Sequence, residues 1–189
     1  MAWEEELFAV LDDLEQQAEA LYDAERDADL ADRSRAAYRD VTLASRLAAS
    51  LEAEIRLEVV GVGTLAGVLE RVGDGWCVLR GPAQDWVVCL PAVAAVHGAS
   101  PRSVPEVAWP AVARLGLSSA LRRFADAGER CVLHLREGAS YDGVPRRVGA
   151  DFVEISVGEP SPSGRADHTG RSGRTLLLAF SAIAAVQSR

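Results

Sequence analysis

The sequence predicts an α+β protein in which an N-terminal helical arm precedes two small five-stranded antiparallel barrels, each preceded by a helix. Three observations support this fold class. All 16 Gly and all 8 Pro residues lie at or after Gly61, so the chain contains no helix breaker before that glycine. The spacing of apolar residues changes from helical to alternating near residue 54. A sequence pattern that begins at Gly67 then recurs from Gly143.

Residues 1–41 are predicted to form an acidic helical arm. Residues 1–40 contain 13 acidic residues and 4 Arg, a sum of -9, whereas the remaining residues contain 15 acids and 16 Arg, a sum of +1. The charged stretch 27–35 indicates either a bend between two helices or a solvated part of one long helix. An apolar stripe at steps of three or four residues predicts a coiled coil or docking onto the chain's own barrels. The stripe comprises Leu7, Leu11, Leu14, Ala18 and Leu21.

Residues 42–98 and 117–189 are predicted to form the two barrels, with residues 99–116 as a proline-containing linker. Each barrel region contains short segments of alternating apolar residues separated by Gly-containing turns. Five such strands in so short a chain are typical of a small, strongly bent antiparallel barrel. Helical patterns over residues 42–53 and 117–127 precede the strands.

The two barrel regions are predicted to be copies of one unit. Gly67-Val-Leu-Glu-Arg71-Val-Gly73 matches Gly143-Val-Pro-Arg-Arg147-Val-Gly149, and the numbering offset between them is 143 minus 67, or 76. Near the ends of the copies, Leu90 matches Phe180, where the offset is 90. The difference, 90 minus 76, gives the second copy 14 extra residues. We assign them to a flexible insertion at residues 158–174, which is rich in Gly, Ser and Pro.

This unit resembles the Sm-like family, which includes the bacterial Hfq branch. The matching stretch of the first copy is Leu57-Glu-Val-Val-Gly-Val-Gly63-Thr-Leu65-Ala-Gly67-Val-Leu69-Glu-Arg-Val72-Gly-Asp74-Gly-Trp76. The resemblance implies two Sm-like barrels in tandem, assembly into rings through edge strands, and RNA binding along turns. The turn motifs of RNA-binding members are replaced here by Val72-Gly-Asp-Gly75 and Leu90-Pro91-Ala-Val-Ala-Ala. The whole chain also resembles uncharacterised high-GC bacterial proteins that are often labelled transcriptional regulators.

Two classes of function follow from these patterns. The first is a non-enzymatic interaction or assembly module that self-associates through barrel edges or the N-terminal arm. The second is nucleic-acid binding, with RNA before DNA, because phosphate contacts need clustered cations. The candidate nucleic-acid-binding residues are Arg71, Arg80, Arg146, Arg147, Arg165, Arg171 and Arg174. DNA-reading regulation through residues 112–124, which resemble a helix-turn-helix, is a third hypothesis.

No motif predicts an enzyme, a cofactor or a metal site. Cys77, Cys89 and Cys131 lie in strand patterns without Cys-x-x-Cys spacing, and the three His residues are scattered. We therefore expect core cysteines. The cysteine usage and the absence of an N-terminal apolar run predict a cytoplasmic protein without a membrane partner.

Overall fold

A computed structural model of the chain describes residues 2–157 and 174–189. The chain forms two compact units, Met1–Val41 and Thr42–Arg189. The first unit contains one continuous helix, α1 (Ala2–Arg39). Its charged stretch is part of this helix, where Arg33 pairs with Asp29 at 3.8 Å and Arg35 with Asp32 at 2.6 Å. Pairs three and four residues apart lie on one helix face, so of the two alternatives for this stretch the single long helix is the one that forms.

The described residues of the second unit form two further helices, ten strands and four short 3-10 helices. The helices are α2 (Leu43–Ala48) and α3 (Leu117–Ala127). The strands are β1 (Glu54–Val59), β2 (Gly63–Gly73), β3 (Trp76–Arg80), β4 (Asp85–Cys89), β5 (Val93–His97), β6 (Cys131–Leu135), β7 (Ser140–Val148), β8 (Phe152–Val157), β9 (Arg174–Ala179) and β10 (Ile183–Ser188). The 3-10 helices are Leu90–Ala92, Glu106–Ala108, Ala111–Arg114 and Phe180–Ala182.

The predicted fold class of two separate Sm-like barrels is wrong. All ten strands belong to one antiparallel sheet in the order β5-β1-β2-β3-β4-β10-β6-β7-β8-β9, and its two ends do not pair with each other. The halves are joined because β10 pairs with both β4 and β6. A separate first half would leave the polar backbone groups of β4 unpaired along an apolar strand, and this pairing satisfies them.

The sheet nevertheless confirms that the unit is repeated. Its first half has the order β5-β1-β2-β3-β4 and its second half β10-β6-β7-β8-β9, so each strand of the second half takes the place of the strand five earlier. The register agrees as well, since Ile55 pairs with Gly67 in the first half and the matching residues Cys131 and Gly143 pair in the second. A register shift follows at the same point of β2 and β7, between Leu69 and Arg71 and between Pro145 and Arg147.

Gly67 and Gly143 are required by the close approach of the neighbouring strand. A Cβ atom on Gly67 would overlap the carbonyl of Arg80, and one on Gly143 would overlap the carbonyl of Ser156. These two positions therefore require glycine, because any side chain would overlap the backbone of the neighbouring strand.

The core of the second unit is formed by alternate side chains of the strands together with one leucine from each helix. Leu47 of α2 and Leu121 of α3 are fully buried. The linker packs beside α2, because the Val104 N–H donates to the Ser45 carbonyl at 2.9 Å and Arg46 Nε donates to the Ser100 carbonyl at 2.8 Å. The predicted α3 is confirmed, and it ends at Gly128, whose φ of 65° is the left-handed conformation expected of a helix C-cap.

Candidate assembly interface

The pairing of β4 with β10, which we call the seam, joins the two repeats. Val186 lies opposite Val87 and Ala185 opposite Val88, and all four side chains are buried. At the end of the seam the Asp85 N–H donates to Ser188 Oγ at 2.9 Å. The seam is therefore a strand pair with buried apolar side chains at its centre and a hydrogen bond between Asp85 and Ser188 at its end.

A contact between two tilted aromatic rings connects the seam to β6. The Trp86 ring lies 5.4 Å from the His134 ring, and His134 Nε2 is 2.9 Å from Gln187 Oε1. These three side chains come from three neighbouring strands, so they tie the first repeat to the second beyond the backbone ladder.

The repeat identifies the outer strands of the sheet as counterparts of the two seam strands. At the numbering offset of 90, β5 corresponds to β10 and β9 corresponds to β4. In the described residues, β5 pairs only with β1, and β9 only with β8. We call their outer sides the free edges. One end of the sheet is therefore β5, the counterpart of β10, and the other end is β9, the counterpart of β4.

Burial differs sharply between the counterparts. The first four residues of β10 are buried, whereas none of the residues of β5 is. Ala184 of β10 is 0% exposed, and its counterpart Ala94 of β5 is exposed. The same side chain is covered in one repeat and uncovered in the other because only one has a neighbouring repeat beside it.

An apolar patch lies beside the free edge of β9. We call it the open face, and it consists of Phe152, Leu177 and Ala179. Leu177 is 60% exposed, whereas its counterpart Val87 is 7% exposed. Phe152 is likewise exposed, whereas its counterpart Trp76 is buried. The apolar side chains of the open face are thus uncovered where their counterparts are covered, and Glu154, which lies opposite Leu177, borders them.

The structure does not gather the described candidate arginines into one surface. Arg71 and Arg147 occupy equivalent exposed positions on β2 and β7, and four strands lie between those two strands. At a strand spacing of about 4.8 Å this is roughly 24 Å along the sheet. Arg146 is exposed beside Arg147 on β7.

The other candidate arginines are placed differently. Arg80 forms an ion pair with Glu70, so its charge is already matched. Arg174 is exposed at the start of β9, so the strand begins at the last residue assigned to the insertion. Arg165, Arg171 and the rest of the predicted insertion lie outside the described residues.

The cysteines and histidines have ordinary structural surroundings. Burial raises the pKa of Cys77 to about 12, that of Cys89 to about 11 and that of Cys131 to about 12, and the three thiols are free. The predicted core cysteines are confirmed. His97 Nε2 lies 2.9 Å from Glu58 Oε1. In residues 2–157 and 174–189, no group of three His, Cys, Asp or Glu side chains could hold a metal ion.

Residues 112–124 lack the arrangement of a helix-turn-helix. Ahead of α3 lies the four-residue 3-10 helix Ala111–Arg114. A recognition helix needs a packed preceding helix to set its orientation on DNA, and four residues of 3-10 helix do not provide one.

Sequence reasoning missed the seam, although a signal was present. Val87-Val-Cys-Leu90 and Ile183-Ala-Ala-Val186 are continuous apolar runs rather than alternating ones. Such runs indicate strands covered on both faces, and consecutive buried residues in β4 and β10 agree with this. Leu176-Leu-Leu-Ala-Phe180 has the same character on the free edge of β9.

Comparison with family models, with curated proteins and with solved structures gave no match. The resemblance to the Sm-like family therefore stays a prediction. No helix in the described part of the chain is long and apolar enough to span a membrane.

Proposed function

We propose that the protein is a non-enzymatic assembly module whose copies join head to tail, the free edge of β9 in one copy pairing with the free edge of β5 in the next. The observation that carries the proposal is the seam. The chain already contains this strand pair once, between β4 and β10, and within the described residues the corresponding strands β9 and β5 at the two ends of the sheet are each paired on one side only.

The repeat also specifies the intermolecular register. In the seam Val186 lies opposite Val87 and Ala185 opposite Val88. Subtracting 90 from the β10 residues and adding 90 to the β4 residues places Val96 opposite Leu177 and Ala95 opposite Leu178. These two new pairs are apolar, as in the seam, and the third seam pair, Gln187 with Trp86, corresponds to His97 with Leu176.

Coverage of the open face supports the same arrangement. In the first repeat, the face around Trp76 and Val87 is flanked by α3, the helix that precedes the next repeat. A following copy would bring α2 to the equivalent place over Phe152 and Leu177. Leu43 of α2 is exposed and supplies an apolar side chain for this contact. A contact in which two different surfaces meet is heterologous, so it closes into a ring or extends into a filament.

Sedimentation velocity on the full chain tests the proposal. We expect the wild type to reach masses that are multiples of 20.1 kDa in the micromolar range. Leu177→Asp places a charge on the β9 edge and Ala94→Asp places one on the β5 edge, so each variant alone should remain a monomer. Val107→Asp is the matched control, because Val107 is 85% exposed on a 3-10 helix outside both edges.

A mixing experiment distinguishes head-to-tail assembly from pairing of like edges. Leu177→Asp retains a competent β5 edge and Ala94→Asp a competent β9 edge, so the mixture should form one-to-one dimers and nothing larger. A wild type that stays at 20.1 kDa, or blocked variants that still associate, would overturn the proposal. Association in both blocked variants would point to the N-terminal arm.

RNA binding is a second candidate function, and one observation favours it. Arg71 and Arg147 occupy the same position in the two repeats. A head-to-tail assembly would therefore present one such arginine per repeat in a regular row, which is how repeated phosphates are bound. Retention of RNA that falls with salt and is lost in Arg146→Ala/Arg147→Ala would support it. Retention unaffected by these changes would exclude this row.

We also propose a cytoplasmic location. Three free, buried thiols support it, because oxidising compartments favour disulfides in small secreted domains.

A further inference from the structure

A cleft of about 850 Å³ lies at the junction between the two repeats. Its floor is a row across three neighbouring strands, in which Arg71 of β2 lies opposite Val78 of β3 and Val78 opposite Val87 of β4. Residues directly opposite in an antiparallel sheet share a face, so all three side chains face the cleft. Helix α3 forms the opposite wall through Ser119, Arg123 and other residues.

One end of the cleft is closed by anchored aromatic side chains. Trp76 is buried, and its indole Nε1 donates to the Leu115 carbonyl at 2.7 Å. With its only polar atom satisfied, the ring presents an apolar surface beside Phe124 of α3. The floor and this end together can hold an apolar group.

The cleft also contains two guanidinium groups whose charge is unmatched. Among the described residues neither Arg71 nor Arg123 forms an ion pair. The nearest acid in sequence, Glu70, is engaged by Arg80. Both arginines line the cleft, Arg71 from β2 and Arg123 from α3.

The other end of the cleft is acidic. Asp85 lies at the start of β4, and Glu129 follows the end of α3. These carboxylates disfavour a second negative charge along the cleft. The charges therefore favour a ligand with one anionic group near the arginines.

The side of the cleft formed by α3 carries small side chains at Ser119 and Ala127. Subtracting 76 from Ser119 and Ala127 gives Leu43 and Leu51. Where the first repeat carries leucine, the second carries a hydroxyl and a methyl group above the apolar floor. The small side chains leave open a volume that two leucines would reduce.

We propose that this cleft binds a small monoanionic amphiphile, with its acidic group between Arg71 and Arg123 and its apolar body on Val78 and Val87. Small-molecule sites occur preferentially at junctions between structural units and combine apolar surface with polar groups that fix the orientation of the ligand.

Calorimetric titration of the full chain with octanoate, and separately with 1-octanol, tests the proposal. Using the Leu177→Asp background excludes binding at an intermolecular junction, so failure of the assembly proposal would not affect the result. We expect octanoate to bind, and octanol to bind about tenfold more weakly because it offers no charge to the arginines. Arg71→Ala/Arg123→Ala should weaken octanoate binding at least about tenfold.

Arg122→Ala is the matched control, because Arg122 is exposed on the same helix but does not line the cleft. It should leave octanoate affinity unchanged. Val78→Phe fills the floor without changing the charge, and it should abolish binding even if the double arginine variant fails to fold. Equal binding of octanoate and octanol, an equal loss in Arg122→Ala, or no octanoate binding by the folded protein would overturn the proposal.

Discussion

The seam and the free edges are two versions of one structure, and they differ only in whether a neighbouring repeat is present. At the seam Val87 and Ala184 are buried, whereas at the edges their counterparts Leu177 and Ala94 are exposed. Neither counterpart has become polar. In monomeric proteins an exposed sheet edge is usually protected by charge, proline or a bulge. The outer strands have therefore kept the composition of paired strands.

The largest expected effect comes from placing a charge at the two equivalent positions. Val87→Asp buries a carboxylate at the seam and should lower the free energy of unfolding by about 5 kcal/mol, most of the stability of a typical domain. Leu177→Asp should change it by less than about 0.5 kcal/mol in the monomer, because the side chain remains in water. Urea unfolding measures both. Similar losses of unfolding free energy in the two variants would contradict the argument that Val87 is covered and Leu177 is not.

A second effect concerns the thiols around the seam, which lie in β3, β4 and β6. Burial raises the pKa of Cys77 from 9.0 to about 12, so the folded protein keeps protons that the unfolded chain releases. Stability is therefore complete below pH 9 and falls as the pH rises toward 12. At pH 10 the loss is on the order of 1 kcal/mol per thiol, or a few kcal/mol for three.

Urea unfolding between pH 8 and pH 10 checks this loss, with roughly two thirds of it retained in Cys89→Val, which removes one thiol of three. The thiols should also stay unreactive toward a disulfide reagent until the seam opens. Rapid labelling of the folded protein, or identical pH profiles for Cys89→Val and wild type, would contradict the burial argument.

The smallest effect concerns a charge pair found in only one repeat. Arg80 pairs with Glu70 in the first repeat, whereas the equivalent positions of the second carry Ser156 and Arg146. Because Arg80 is 60% exposed, Arg80→Ala should cost only about 0.5 kcal/mol. A double-mutant cycle with Glu70→Gln isolates the pair, and Arg146→Ala serves as the control. A coupling above about 1 kcal/mol would mean that the pair is more than a surface contact.

Much of the second unit could be predicted from the sequence because its signals are local. Alternation over Ile55–Val59 and the paired glycines Gly67 and Gly143 located the strands and the repeat, and the structure confirms both. What the repeat cannot show is how its two copies meet. Joining the halves depends on pairing Val87 with Val186, and although each strand has a continuous apolar run, no local pattern specifies that these two distant runs pair with each other.

The candidate site was predicted less well, for a physical reason. Arg146 and Arg147 are exposed next to each other on β7, but Arg71 and Arg147 are separated by four strands. Arg123 of the cleft carries no sequence signal, because its partner Arg71 lies in another repeat and the space between them depends on α3. Recognising the cleft requires knowing the register of β2, β3 and β4, which places Arg71, Val78 and Val87 in one row.

The position of β10 has a consequence for how the sheet is made. It is the last strand in the sequence, yet it lies at the centre of the sheet between β4 and β6. During synthesis on the ribosome, the backbone N–H and C=O groups of β4 and β6 that face each other across β10 stay unpaired until β10 has been synthesised and pairs with both strands. Folding of the halves into one body is thus a late, slow event governed by long-range loop closure. Until then the nascent chain has two additional unpaired strand edges, those of β4 and β6, to which another polypeptide chain can pair.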